Sequence, residues 1–247
     1  MLIKETKYLI IDAGNTSTKC VVFENGELHK VNSFTSLTLW KRHIDNINYN
    51  ECIISSVASK KATDFMVQNT KNALLFNSKT PIPISNKYKT PSTLGYDRLA
   101  NVIAANAIFP NQNSVVIDAG TCLKFDFIND KNEYQGGSIS PGLRMRFKAL
   151  HTFTANLPLI EGIESQELIG RNTNESMISG CLNGMVAEID NVIEQYKNQY
   201  PNLNVILTGG DAEIVEKSDF KQKNSIFANR WLTLKGLNEI LQYNVRS

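Results

Sequence analysis

Two carboxylates occur in nearly the same words. Asp12 closes the apolar run of LIIDAGNTSTK, residues 9–19, and Asp118 closes that of VVIDAGTCLKF, residues 115–125. Each is followed by Ala-Gly and then by small polar side chains: Asn15, Thr16, Ser17 and Thr18 in the first, Thr121 in the second. Gly14 and Gly120 permit a tight turn and a close backbone approach. Turn N–H groups can form a concavity for an anion, and a carboxylate beside phosphate suits Mg²⁺, directly or through water. One Asp-Ala-Gly is ordinary turn chemistry. Two in matching contexts point to turns that hold the phosphate tail of a nucleotide and its metal.

Three further features carry potential chemistry. Gly209-Gly210 in LTGGDA follows an apolar run and leaves the backbone bare, which suits a base or ribose and equally suits plain packing. Asp97, just after Gly95, opens a helical pattern, where the helix dipole favours a carboxylate; it reads either as a first-turn or capping Asp or as a proton acceptor. Arg98 beside it is suited to bidentate contact with a carboxylate or phosphate, or to a surface ion pair. The patterns G-x-x-x-x-G-K-[ST] and, after a strand, G-x-G-x-x-G are absent, so the phosphate scheme is neither of these.

The elements that must position these groups alternate between strand and helix patterns, which predicts an α/β protein. Residues 8–11 read as a strand, 18–31 as two strands about Asn25-Gly26, and 51–59 as a short strand ending in small residues. Residues 60–72 and 96–110 read as helices, the latter with Leu99, Val102, Ile103 and Ala107 on one face and Pro110 closing it, and the Pro- and Ser-rich stretch 76–95 as loop. After Asn111-Gln112-Asn113 the order restarts: strand, Asp-containing turn, hairpin, then helices, including a long one over 174–200 and a terminal one over 232–244. The expected halves are 1–112, with the first turn and Asp97, and 113–247, with the second turn and the Gly-Gly turn.

The composition excludes several classes. Lys plus Arg total 26 against 24 for Asp plus Glu, a net charge of +2, which gives no general reason to expect nucleic acid or an anionic membrane as partner. No apolar run approaches the roughly 20 residues that span a bilayer. The N-terminus enters a strand pattern without a signal-peptide layout, so a cytoplasmic protein is expected. Cys20, Cys52, Cys122 and Cys181 form no C-x-x-C, and His29, His43 and His151 are scattered, so neither zinc nor disulfides are expected. Three of the cysteines lie in or beside apolar segments and read as buried thiols.

Taken in order along nearly the whole chain, IDAGNTSTK, PSTLGYDRLANVIAA, VVIDAGTCLKFD, GGSISPGLRMRFKALHTFTANLP, RNTNESMISGCLNG and LTGGDA resemble the motifs of the type III pantothenate kinases, members of the superfamily of acetate and sugar kinases, Hsp70 and actin. The resemblance implies two related actin-like, ribonuclease H-like halves with an ATP cleft between them. It implies phosphoryl transfer from ATP to pantothenate, the committing step toward coenzyme A, by a cytoplasmic homodimer whose substrate pocket lies at the subunit boundary. Asp97 would be the general base. Tyr88, Gly95, Tyr96, Arg98 and Thr173 would contact substrate; Thr173 on its residues alone reads as a helix N-cap, and Tyr88 as a packing residue. Asp12, Ala13, Gly14, Asn15, Thr16, Ser17, Thr18 and Lys19, with Thr121, would hold ATP. Asp12 would orient Mg²⁺ through phosphate or water, and Asp118 would bind a monovalent cation, K⁺ or ammonium. His151 reads as an ordinary helix residue or a substrate contact.

The chain departs from the family at the second turn, where Gly-Thr-Cys-Leu-Lys stands for Gly-Thr-Ala-x-Thr. Lys124 shares a strand face with Cys122 and Asp126; it either pairs with Asp126 or brings a fixed ammonium to Asp118. Three rival readings remain: a superfamily kinase for a sugar or short acid, a chaperone-like ATPase, and an inactive relative with a regulatory or transcription-accessory role. Gly95-Tyr96-Asp97-Arg98 disfavours the first and the length the second. Retention of Asp12, Asp97 and Asp118 disfavours the third.

Overall fold

The computed structural model describes residues 6–14, 16–163, 167–217 and 226–246. Residues 1–108 together with 231–247 make one compact unit, and residues 109–230 make another.

The first unit is built on β1 (Lys7–Ala13), whose Leu9, Ile10 and Ile11 are fully buried. A strand covered on both faces reads as a continuous apolar run, and this one does. β2 (Thr18–Glu24) returns antiparallel to β1. Asn25 and Gly26, at φ of 51° and 86°, then turn the chain into β3 (Glu27–Leu28), the positive-φ pair that a tight hairpin requires. β4 (Asn32–Phe34) also pairs with β2. α1 (Leu37–Ile44) has no counterpart among the sequence expectations, although Leu37, Trp40 and Ile44 recur at helical spacing; Trp40 is fully buried. β5 (Glu51–Ser56) runs parallel to β1, and after α2 (Lys60–Gln68) β6 (Ala73–Leu75) runs parallel to β5. The resulting order is β3-β2-β1-β5-β6. Trp40, Ile44 and Met66 of the two helices cover the face carrying Leu9, Ile11, Cys20 and Ile54. The stretch to residue 95 is mostly loop, as expected, with a short β7 (Ser85–Asn86), and leads into α3 (Tyr96–Ile108).

The second unit repeats that plan. β8 (Ser114–Ala119), β9 (Cys122–Ile128) and β10 (Glu133–Pro141) form an antiparallel meander, and β11 (Asn204–Thr208) and β12 (Ile226–Ala228) continue parallel on the other side of β8. The order β10-β9-β8-β11-β12 matches β3-β2-β1-β5-β6 strand for strand, in both sequence order and direction. α4 (Leu143–Phe153), α5 (Thr173–Gln199) and α6 (Ala212–Lys217) complete the unit, with Met185, Ile189 and Ile193 of α5 in one core with Phe125 and Phe127 of β9.

The expected boundary needs correction. The terminal helix α7 (Leu232–Arg246), assigned from sequence to a half spanning 113–247, packs on α3, β1 and β5 of the first unit. The reason is steric. α3 presents Ala100 and Ala104 in its buried face, and Gly236 lets the two backbones close in, so that a Cβ at Gly236 would lie 1.8 Å from the Ala100 carbonyl oxygen. The Thr233 hydroxyl donates to Asn101 Oδ1 at 2.8 Å across the same contact.

Cys20, Cys52 and Cys181 are buried free thiols and Cys122 is a half-buried one. Burial pushes the Cys20 thiol up to about 12 and that of Cys52 upward too, so both stay protonated. Among the described residues, no helix is long and apolar enough to cross a membrane.

The α3–α7 contact yields a stability test. In an open helix, Gly→Ala adds about 1 kcal/mol of stability through propensity. At Gly236 the new methyl meets a backbone carbonyl that cannot rotate away, and overpacking costs about 1–3 kcal/mol. Gly236→Ala therefore lowers the denaturation midpoint, measured by urea titration followed by circular dichroism.

Candidate active site

The first turn leaves the sheet where its central strand ends. Asp12 stands between Lys19 on β2 and Ser55 on β5, directly opposite each in register. Gly14 N–H donates to the Ser17 carbonyl at 3.0 Å and closes the loop, while Val57 N–H donates to the Ala13 carbonyl at 2.9 Å. Thr16 and Lys19 are exposed, Asp12, Gly14 and Ser17 are half-buried, and Ala13 and Thr18 are buried. The Lys19 ammonium lies 5.9 Å from the ring centroid of Trp231, a cation–π contact. Asn15 lies outside the described residues. The turn thus offers a hydroxyl, a cation and backbone to an anion, with one carboxylate at its root. Among the described residues no three His, Cys, Asp or Glu side chains gather into a metal cage. Mg²⁺ commonly takes one or two carboxylates and completes its shell with substrate phosphates and water, so Asp12 fits that metal on a nucleotide.

The second turn has the same place in its sheet. Asp118 stands between Lys124 on β9 and Thr208 on β11. Two glycines press on it. Gly209 is at φ +102°, and a Cβ there would lie 2.4 Å from the Ala119 carbonyl oxygen and 2.6 Å from Asp118 Oδ1. A Cβ at Gly142, ahead of α4, would lie 2.2 Å from the Gly120 carbonyl oxygen. Gly142 N–H donates to the Thr121 carbonyl at 3.2 Å, and Asp211 N–H to the Ala119 carbonyl at 2.8 Å. Thr121 is exposed at the tip. Lys124 is in contact with Asp118: Nζ and Oδ2 are 2.7 Å apart, with the side chains 14% and 13% exposed. Asp126 accepts from the Tyr134 hydroxyl at 2.7 Å.

A third cluster sits at the start of α3. A Cβ at Gly95 would fall 2.6 Å from Asp97 Oδ1, so the bare backbone there makes room for the carboxylate. Arg98 is buried, and its guanidinium carbon lies 5.6 Å from the Tyr88 ring centroid. Tyr88 N–H is held by Asn86 Oδ1 at 2.9 Å. Half-buried Tyr96 has its ring centroid 5.0 Å from that of buried Phe76, the two rings tilted by 47°. The structure therefore gathers Tyr88, Gly95, Asp97 and Arg98 locally.

Thr173 belongs to the second unit, exposed, as the first residue of α5. The helix N-cap is Asn172, not Thr173, because the Asn172 side chain accepts from Glu175 N–H at 2.9 Å while a Glu175 oxygen accepts from Arg171 N–H at 2.7 Å. Asn followed three residues later by Glu is a capping arrangement readable in sequence. His151 is exposed in the last turn of α4, where its Nδ1–H donates to the Leu157 carbonyl at 2.7 Å. Sequence reading missed Ser55 and Thr208, both buried beside the two aspartates, and Trp231 under Lys19. The small residues ending β5 and β11 were the only signal for the first two; Trp231 had none.

Two units of identical strand order, each ending its central strand in Asp-Ala-Gly, define the actin-like fold. Solved structures agree on the fold. A Campylobacter jejuni protein described as a Baf family transcriptional activator aligns with a TM-score of 0.64 at 18% identity, covering 97% of this chain and 100% of that one. Component A of the (R)-2-hydroxyglutaryl-CoA dehydratase of Acidaminococcus fermentans aligns with a TM-score of 0.51 at 13% identity, covering 96% and 97%. The family model for type III pantothenate kinase matches residues 8–195. Type III pantothenate kinases of Phocaeicola vulgatus and Flavobacterium johnsoniae are 43% and 40% identical over 243 residues, each match covering 96% of this chain and 98% of the relative. This chain belongs to the type III pantothenate kinase family.

Asp211, in the Gly-Gly turn, gives a test by pH. Burial raises its carboxyl above the ordinary 3.8, and the nearby Arg144 guanidinium only partly opposes this. Between the ordinary value and the raised one, the folded chain holds a proton that the unfolded chain has lost. The stability this group contributes therefore falls as pH rises through that window. Asp211→Asn removes the dependence. The melting temperature of the variant minus that of the parent increases from about pH 4 upward and levels off once Asp211 is ionised in the folded parent; a difference independent of pH contradicts this.

Proposed function

We propose that this chain transfers the γ-phosphoryl group of ATP to the terminal hydroxyl of pantothenate, giving 4′-phosphopantothenate and ADP, the first step of coenzyme A synthesis. The observation that carries this reading is the Asp97 carboxylate lying over bare Gly95, next to an Arg98 held on the Tyr88 ring, in a chain of this family. Asp97 accepts the proton of the attacking hydroxyl as the oxygen bonds to phosphorus and the bond to the ADP oxygen breaks. Its place in the first turn of α3 keeps the carboxylate favoured by the helix dipole. Arg98 holds an anionic group of a substrate, and stacking on Tyr88 limits the freedom its guanidinium must lose on binding. With the Tyr96 ring packed on Phe76, position 96 offers its backbone to substrate. Thr173 contributes its hydroxyl to the pantothenate pocket.

Residues 12–19 hold the phosphate groups of the nucleotide, joined by Thr121. Among the described residues of these turns, Thr16, Lys19 and Thr121 expose donors, and Asp12 holds Mg²⁺ or its waters. Magnesium neutralises charge on the β- and γ-phosphates when bound. A monovalent cation at Asp118 would meet the Lys124 ammonium already in contact with that carboxylate. The free thiols suit a reducing, cytoplasmic compartment.

We assign the working state as a homodimer. Phe153, Leu168 and Ile169 of the second unit are 85%, 76% and 75% exposed, which is costly for large apolar side chains. Gly180, Gly184 and Ala187 on α5 are exposed as well, with nothing within 4 Å of a Cβ at either glycine, so this small-residue stripe is free for a second copy to approach.

Coupled measurement of ADP release, with and without pantothenate, tests the activity; release that pantothenate fails to stimulate contradicts it. Asp97→Asn keeps fold and nucleotide binding and loses turnover by roughly 10²-fold or more. For the dimer, Asp97→Asn is co-expressed with a Thr173 variant inactive by itself. A pocket shared between subunits restores one intact site in each mixed dimer, and purified mixed dimers that remain inactive rule out the sharing.

A further inference from the structure

A free cation at Asp118 does not fit the carboxylate as this chain builds it. We propose that the Lys124 ammonium is a built-in counter-charge for Asp118, standing in for a free monovalent cation, so that nucleotide binding and turnover are indifferent to K⁺ and ammonium. This rests on the kinase reading for the ligand the turn serves, and on the geometry of the second unit for everything else.

The placement follows from register. β8 and β9 are antiparallel, joined through Gly120-Thr121, and Asp118 is directly opposite Lys124. Opposed residues of an antiparallel pair project from the same face with their side chains in reach, and slipping the register by one would turn the whole apolar set of β9 out of its core. Leu123, Phe125 and Phe127 in that core thus hold Lys124 to its partner. The ammonium stands 2.7 Å from Oδ2, with both side chains nearly buried. The other carboxylate oxygen faces the bare backbones of Gly209 and Gly120, whose Cβ positions would lie 2.6 Å and 3.1 Å from it. One oxygen is therefore walled by glycine backbone and the other is in contact with a cation.

A free alkali ion at Asp118 would have to displace this ammonium or sit against a like charge in a place of low exposure, where repulsion is poorly screened. The lysine head has the same single charge as K⁺ and ammonium and offers three N–H donors. Being tethered, it needs no ion concentration to fill the place. A bare carboxylate at this turn would repel a polyphosphate, and the paired one is neutralised. The pairing is not automatic from the strand repeat. Lys19 occupies the same register opposite Asp12 in the first unit, is exposed, and sends its ammonium over Trp231.

The test compares chloride salts of K⁺, ammonium, Na⁺ and choline at one ionic strength. Two quantities are read: Mg·ATP affinity by calorimetry, and kcat/KM for ADP release with pantothenate. For the parent chain both stay within about twofold across the four salts, whereas a coupled ion site changes affinity by about fivefold or more. Lys124→Thr, which opens the space, binds nucleotide weakly in Na⁺ and choline and regains about tenfold in K⁺ or ammonium. Lys124→Met, which fills the space without charge, is weak in all four. Stimulation of the parent by K⁺ or ammonium overturns the proposal, as does a Lys124→Thr chain with parental affinity in every salt. Should a variant lose its circular-dichroism signature, the parent series decides alone. Absence of pantothenate-dependent ADP release in any salt defeats the kinase reading, while the calorimetric series still judges Lys124.

Discussion

The candidate functional groups of this protein depend on where two buried strands stop. β1 and β8 are each flanked by strands on both sides, so their backbone groups are consumed by the sheet up to the last residues. Just there the sequence places an aspartate and then a glycine. A carboxylate emerges at the end of a central strand, followed by a turn whose N–H groups are released from the ladder. The same geometric event occurs in both units because their strand order is the same. The neighbouring strands determine what stands beside each carboxylate: a lysine on the antiparallel side, and Ser55 or Thr208 on the parallel side.

Around the second turn the constraint is bare backbone. Gly142 and Gly209 lie against the β8–β9 turn so closely that any side chain would overlap a carbonyl. Such close approach leaves little freedom for the loop to rearrange, so the turn is held in one shape. At the first turn Gly14 N–H bonds the Ser17 carbonyl, Val57 N–H bonds the Ala13 carbonyl, and Lys19 lies over an indole. The charges of the two turns differ. In the second unit the aspartate is neutralised by the protein's own ammonium. In the first, the lysine opposite Asp12 is exposed to solvent and available to an anion.

The helix carrying Asp97 is anchored from the far end of the chain. α3 lies against α7 with backbones in contact at Ala100 and Gly236, and α7 in turn packs on β1 and β5. The strand that delivers Asp12 and the helix that delivers Asp97 therefore share one packing partner. Damage to the terminal helix would reach both groups without touching either.

Much of this was legible in sequence. The repeated strand with Asp-Ala-Gly, the hairpin at Asn25-Gly26, the helix from Tyr96 and the long helix of the second half were readable because each rests on contiguous residues: an apolar run, a turn dipeptide, a helical period. The order of motifs was enough to place the chain in its family. What lay outside that reach depends on partners distant along the chain. Residues 232–244 read correctly as a helix, yet only packing shows that it joins the first unit, since its apolar face would suit any sheet and the deciding feature is how closely Gly236 can approach Ala100. Lys124 had two acidic partners on offer, and strand register sets it directly opposite Asp118, 117–119 pairing with 123–125. That the Tyr96 ring meets Phe76, twenty residues earlier in the chain, is likewise set by packing. Local pattern determines which element forms and where it turns; the choice among chemically equivalent neighbours is made when remote backbones pack, because contact energies fall away within a few ångströms and no sequence spacing records those distances.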